Sequence, residues 1–272
     1  MLISFSDQQV CMNGAKAKEA KKEEKEGKGA REAGKPQGRP SVSTGLAGLD
    51  KILGGGFESG ALIEVSGGPG AGKTTFGLQF ARAAIQAGGK TLYIAFEETG
   101  RSLQNTARAF GWDFGPQAVF AEIKPYKFKE AVAEILGLIE KHRPACVVLD
   151  TVTALSLYAY SPEWKCAPAA GTVLRLFTPS LADVRRALAD LASDLRGTGA
   201  TTLLLSESAA SFRPLREVLD FICDGVICIH VSDLGTGTAR LLEVRKMRRI
   251  PHSLDKFPLA IGKAGLSLAP LV

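Results

Sequence analysis

The stretch GGPGAGKTT, residues 67–75, holds Gly67, Gly72, Lys73 and Thr74 in the spacing G-x-x-x-x-G-K-[ST]. A chain curled this way turns its backbone N–H groups toward phosphate oxygens, and glycine is needed where a side chain would block the approach. Gly67, Gly68, Pro69, Gly70, Ala71, Gly72, Lys73, Thr74 and Thr75 therefore read as a cradle for a nucleoside triphosphate. Lys73 would reach the β and γ phosphates, and the Thr74 hydroxyl would ligate Mg²⁺. A metal bound there needs a second anchor, and ACVVLD supplies one in Asp150, a carboxylate closing an apolar run. TLYIAF ends the same way, in the adjacent carboxylates Glu97 and Glu98. Their mutual repulsion is offset where Mg²⁺ and Lys73 lie close, and a carboxylate so placed can orient and deprotonate water. Glu97 is the expected base, with Glu98 in support.

Such groups meet only if strands deliver them to one edge. ALIEVS (61–66), TLYIAF (91–96), ACVVLD (145–150), TTLLLS (201–206) and GVICIH (225–230) are short β-rich runs. Segments of helical period separate several of them. Thr74 to Ala87 stops at Gly88 and Gly89, Phe128 to Lys141 aligns Ala131, Ile135, Leu138 and Ile139, and a helix from Ser180 carries Val184, Leu188, Leu191 and Leu195. The alternation predicts an α/β fold, a mainly parallel twisted sheet with helices on both faces. Beyond residue 225 the strands follow one another by short links, as in an antiparallel edge. In such sheets ligands sit beyond the carboxyl ends of the strands, which is where the motif residues fall.

Composition sets the bounds. The 272 residues are 45% apolar, enough for a sizeable core. Of the net charge of +6, a share of +4 falls within residues 15–40, so the body is nearly neutral and a protein-wide basic field is excluded. Residues 1–40 are expected to be a flexible charged extension and 41–272 the folded domain that carries the phosphate loop. No run approaches the roughly 18 apolar residues of a membrane helix, and a cytoplasmic protein is expected. Cys11, Cys146, Cys166, Cys223 and Cys228 have no metal-ligand spacing and read as reduced structural thiols.

In combination these motifs resemble the RecA-type P-loop ATPases, and most closely their KaiC-like branch. STGLAGLDKILGGGFESG is similar to that branch's lead-in, followed by the phosphate loop, FEE and GATTLLLSE, and VRKMRRIPHS resembles the segment bearing its K-x-R pair. The resemblance implies a RecA core assembling as a homo-oligomeric ring, a hexamer, with ATP between neighbouring subunits. It also implies that Ser206 and Glu207 form a polar sensor, and that Lys246 and Arg248 reach the next subunit's phosphates. Clock KaiC proteins carry two modules, and this chain has one phosphate loop.

Two kinds of work fit such a core. One is nucleotide-controlled ring assembly or regulation of a protein partner. The other is a recombination accessory role on single-stranded DNA, for which Trp164, Lys165 and Arg175, with Phe212, Arg213 and Arg216, offer aromatics interleaved with cations. The same residues suit a subunit interface.

Overall fold

The computed structural model describes residues 40–124, 127–159, 181–233 and 237–269. The expected extension, apart from Pro40, lies outside the described residues, as do Trp164, Lys165 and Arg175.

The strands are β1 (Ser41–Val42), β2 (Phe57–Glu58), β3 (Leu62–Gly67), β4 (Thr91–Ala95), β5 (Ala118–Glu122), β6 (Cys146–Asp150), β7 (Thr201–Glu207), β8 (Gly225–Asp233), β9 (Thr238–Met247), β10 (Lys256–Gly262) and β11 (Gly265–Leu268). The helices are α1 (Ala47–Ile52), α2 (Lys73–Gln86), α3 (Gly100–Ala109), α4 (Phe128–His142), α5 (Val152–Ala159), α6 (Leu181–Gly197) and α7 (Arg213–Ile222). Nine strands form one sheet in the order β11-β10-β9-β8-β3-β7-β6-β4-β5. From β8 to β5 neighbouring strands are parallel, and β9, β10 and β11 add the antiparallel edge.

The central strands β3, β4 and β6 are buried at every position because helices cover both faces. Alternation along β3 sends Ile63 and Val65 into the core beneath α2 and α3, with Phe76, Phe80 and Leu103. Leu62 turns to the opposite core, where α4 contributes Ala131, Ile135 and Ile139, and α6 contributes Val184, Leu188, Leu191 and Leu195. Leu138 sits half-buried at the rim of that core.

The lead-in segment is structural. Asp50 accepts hydrogen bonds from the Ser43 hydroxyl (2.6 Å) and from the Thr44 amide and hydroxyl (2.8 and 2.6 Å), closing the turn ahead of α1. Gln79 on α2 then ties the lead-in segment and β11 to the core. Its amide donates to Gly45 and Leu266 carbonyls at 2.7 and 3.0 Å, and its carbonyl accepts from the Leu266 N–H at 2.8 Å.

Candidate functional site

The parallel register brings the motif residues to one edge. Asp150 is paired with Ala95 on β4 and Leu205 on β7, and Val65 of β3 lies in the same row. Two positions further along come Gly67 and Glu207, which end β3 and β7, and Glu97, just past the end of β4. A cavity of about 400 Å³ opens there, lined by Pro69, Gly70, Gly72, Lys73, Thr74 and Thr75 together with Glu97, Glu98, Asp150, Thr151, Glu207 and Ile261.

The phosphate loop is built as its composition predicts. Gly70 and Gly72 have φ of +71° and +102°, backbone conformations that a side chain would strain. Gly72 caps α2, whose first residue is Lys73, so the orphan N–H groups of the first helical turn face the cavity. Lys73 Nζ donates to the Gly67 and Gly68 carbonyls at 2.9 and 3.1 Å. Burial lowers its pKa from the usual lysine value, and the carboxylates of Glu207, Asp150 and Glu97 work against that loss of charge.

Thr74 and Asp150, the residues expected to hold a metal, lie in contact. Thr74 Oγ1 donates to Asp150 Oδ2 at 2.9 Å. The same oxygen accepts from the buried Tyr93 hydroxyl at 2.7 Å. Burial raises the pKa of Asp150, while these two hydrogen bonds hold it down. A hydroxyl and a carboxylate set side by side at the foot of a phosphate loop are a donor set of the kind hard cations take, so these residues fit Mg²⁺.

The two adjacent glutamates differ in their surroundings. Glu97 Oε2 lies 3.4 Å from the hydroxyl of Thr151, the residue after Asp150. Glu98 accepts from Ser102 at 2.9 Å, which ties it to the first turn of α3. Ser206 and Glu207 also part, because strand alternation sends them to opposite faces. Glu207 lines the cavity, while Ser206 is buried with its hydroxyl donating to Glu64 Oε1 at 2.6 Å.

Lys246 and Arg248 lie elsewhere. Lys246 is paired across the ladder with Val226, which is paired with Glu64, three positions before Gly67. That is about 10 Å along the strand and two strands sideways, beyond a lysine's reach to its own loop. Lys246 Nζ donates to the carbonyls of Asp220 (2.5 Å), Phe221 (3.4 Å) and Cys223 (2.7 Å) at the C-terminal end of α7. Arg248 bonds the Phe221 carbonyl at 3.0 Å and Asp224 at 3.3 Å. Of the other cations and aromatics singled out, Phe212 lines a shallow groove with Leu157, Pro214 and Leu215, and Arg213 pairs with Glu217 at 3.5 Å. Arg216 faces a separate cavity on the far side of β3.

Motif reading passed over Tyr93, Thr151, Glu64 and Arg240. Arg240, from the start of β9, donates to the Gly70 carbonyl through Nε and Nη2 at 3.2 and 3.1 Å. Tyr93 and Glu64 did leave a signal. Each is the one polar side chain inside an apolar run, where a buried hydroxyl or carboxylate must find a partner.

Comparison with known proteins agrees with this geometry. A family described as "ATPase: KaiC" matches residues 42–164 and 172–271. A UPF0273 protein of Pyrococcus horikoshii is 30% identical over 252 residues, spanning 84% of this chain and 94% of its own. The circadian clock oscillator protein KaiC of Synechococcus elongatus is 27% identical over 85% of this chain, which corresponds to 44% of that longer protein. The crystal structure of a KaiC-like protein from P. horikoshii superposes with a TM-score of 0.70 at 26% identity, covering 85% of this chain and all of the other. No helix among the described residues is long and apolar enough to cross a membrane. With the glycine-rich loop, Asp150 and the Glu97–Glu98 pair gathered at one edge of a RecA-like sheet, the chain belongs to the KaiC ATPase family of the RecA superfamily.

Proposed function

We propose that this chain binds ATP with Mg²⁺ in the cavity around Lys73 and hydrolyses it slowly, and that its nucleotide state governs assembly of a homo-oligomeric ring or the docking of a protein partner. The observation that carries this reading is the convergence of the loop 67–75, the Thr74–Asp150 pair and Glu97 on one cavity. The loop amides and the N-terminus of α2 hold phosphate oxygens, and Lys73 adds a charge to them. Thr74 and Asp150 hold the cation, which when bound neutralises charge building on the phosphates. Glu97 orients water and takes its proton. Glu98, anchored by Ser102, contributes to the field. Glu207 senses the phosphate end, and Ser206 supports it from the opposite face.

Lys246 and Arg248 act on a neighbouring subunit's phosphates. Their distance from this chain's own loop supports that assignment, since a role in phosphoryl transfer is then open to them only in trans. No observation favours the single-stranded DNA reading: Trp164, Lys165 and Arg175 lie outside the described residues, and Arg213 is paired within its own helix.

Calorimetry with ATP and Mg²⁺, with and without Lys73→Ala, tests the cavity. Binding by the parent and its loss in the variant is expected. A parent that takes up no adenine nucleotide overturns the reading. Light scattering of the ATP complex tests the ring, and a persistent monomer removes the trans role of Lys246 and Arg248.

A further inference from the structure

Behind the phosphate loop, on the opposite face of β3, lies a second cavity of about 360 Å³. It shares none of its lining residues with the cavity around Lys73. Its walls come from the start of the loop (Ser66, Gly68), from Ser208 just after β7, from Arg216 on α7, and from the β8–β9 ladder, including Ser232 and Arg245.

Two observations mark it as a built site. Ser66 is 1% exposed, lines the cavity, and its hydroxyl has no hydrogen-bond partner among the described residues. A buried hydroxyl left this way costs free energy that an incoming group can recover. Two positions below it on the same strand face, outside the cavity lining, the buried Glu64 carboxyl is an acidic group whose charge Arg216 and Arg245 offset. The two arginines act on the Glu64 carboxyl electrostatically and are not held by a close ion pair. Arg216 makes no hydrogen bond or ion pair among the described residues, and Arg245 reaches Asp220 only at 3.7 Å. The other acidic group alongside, Glu243, is taken up by His230 at 2.6 Å. What the cavity offers is a guanidinium fork with several hydroxyls, which is the recognition chemistry of an oxyanion.

We propose that this cavity is a second anion site, taking a compact carboxylate or phosphate group on Arg216, Arg245, Ser66 and Ser208, and that its occupancy is felt at the phosphate loop. The connection is short. The Ser208 N–H donates to the Gly67 carbonyl at 3.2 Å, and that same oxygen accepts from Lys73 at 2.9 Å. An anion drawing on Ser208 and Arg216 shifts the strand end that positions Lys73, and the coupling is reciprocal. This second half rests on the reading of Lys73 as a nucleotide ligand, and the site itself does not.

The test uses the full chain saturated with ADP and Mg²⁺, titrated with inorganic phosphate by calorimetry. Binding with Kd of about 1 mM is expected. Arg216→Ala should weaken it at least about tenfold and Ser66→Ala several-fold, with ADP affinity retained. Where Arg216→Ala fails to fold, Arg216→Gln and Ser208→Ala give the same comparison. Phosphate should also change ADP affinity in the parent and not in the Arg216 variant.

Absence of phosphate binding in a sample that does bind ADP overturns the proposal and leaves the nucleotide reading standing. Equal binding by parent and Arg216 variants overturns it too. If ADP itself does not bind, the Lys73→Ala chain carries the phosphate titration alone. Light scattering separates two sources of the anion. Dissociation of oligomers by phosphate assigns the site to an acidic side chain of a second copy, and an unchanged mass assigns it to a free anion. Both support the site. Tight binding of an oligonucleotide that phosphate competes away would give Arg216 to nucleic acid and overturn the compact-ligand assignment.

Discussion

Replacing Glu64 with glutamine should make the protein's stability less sensitive to pH, and the size of the change follows from where Glu64 sits. Its carboxyl is buried in the middle of β3, and burial pushes its pKa from the ordinary 4.5 up to about 7 against the opposing Ser206 hydrogen bond. Below pH 4.5 folded and unfolded chains both hold the proton, and no penalty exists. Between 4.5 and 7 the unfolded chain releases it first, so folding stability falls as pH rises. Above 7 the penalty is fully present, at about 3 kcal/mol. At pH 5 about 1 kcal/mol of it has already appeared, which leaves about 2 to 3 kcal/mol to develop by pH 8. Glutamine keeps an acceptor for Ser206 and carries no charge at either pH. Urea unfolding at pH 5 and pH 8 should therefore show Glu64→Gln gaining about 2 to 3 kcal/mol relative to the parent between the two conditions. Groups common to both proteins cancel in the difference, as does any fixed offset from the new amide. Parallel pH dependence, within about 0.5 kcal/mol, would refute the claim that burial raises the pKa of this carboxyl.

Tyr93→Phe removes a 2.7 Å hydrogen bond that orients Asp150, so Mn²⁺ affinity of the nucleotide complex, read by electron paramagnetic resonance, should drop about tenfold while nucleotide binding without metal is unchanged. Equal Mn²⁺ affinity would leave Tyr93 a packing residue. Glu97→Ala should lower phosphate release at least about a hundredfold, and Glu98→Ala by less, because Glu98 is tied to Ser102. Equal losses would remove the distinction between them. Gly265→Ala should destabilise by about 3 kcal/mol in thermal melts. Its φ is +103°, and a Cβ there would lie 2.4 Å from the Trp112 ring and 2.6 Å from Gln79 Oε1. A loss under about 1 kcal/mol would show that β11 can move off α2.

Much of this architecture is local enough to be read from the chain. The loop 67–75 is contiguous, and its backbone demands are written in glycines. The apolar spacing of α4 and α6 faces a single core, so Ile135 and Leu188 declare their direction without knowledge of a partner. The short links after residue 225 leave room only for antiparallel neighbours. Less legible were β5, a partly exposed edge strand, and the β1–β2 pair, each two residues long. Such elements take their conformation from what they dock against.

A glycine-rich curl ahead of Lys73, an apolar run closing on Asp150 and another ending just before Glu97 are all legible in the chain, since each concerns a run of adjacent residues. Only the tertiary structure decided which side chains meet. It put β7 and β6 between β3 and β4, so that Tyr93 finds Asp150 and Ser206 finds Glu64 across 57 and 142 residues. It also set Lys246 at the C-terminal end of α7 and far from its own loop. Strand order and register place those partners, and periodicity along one strand carries no information about which strand lies beside it.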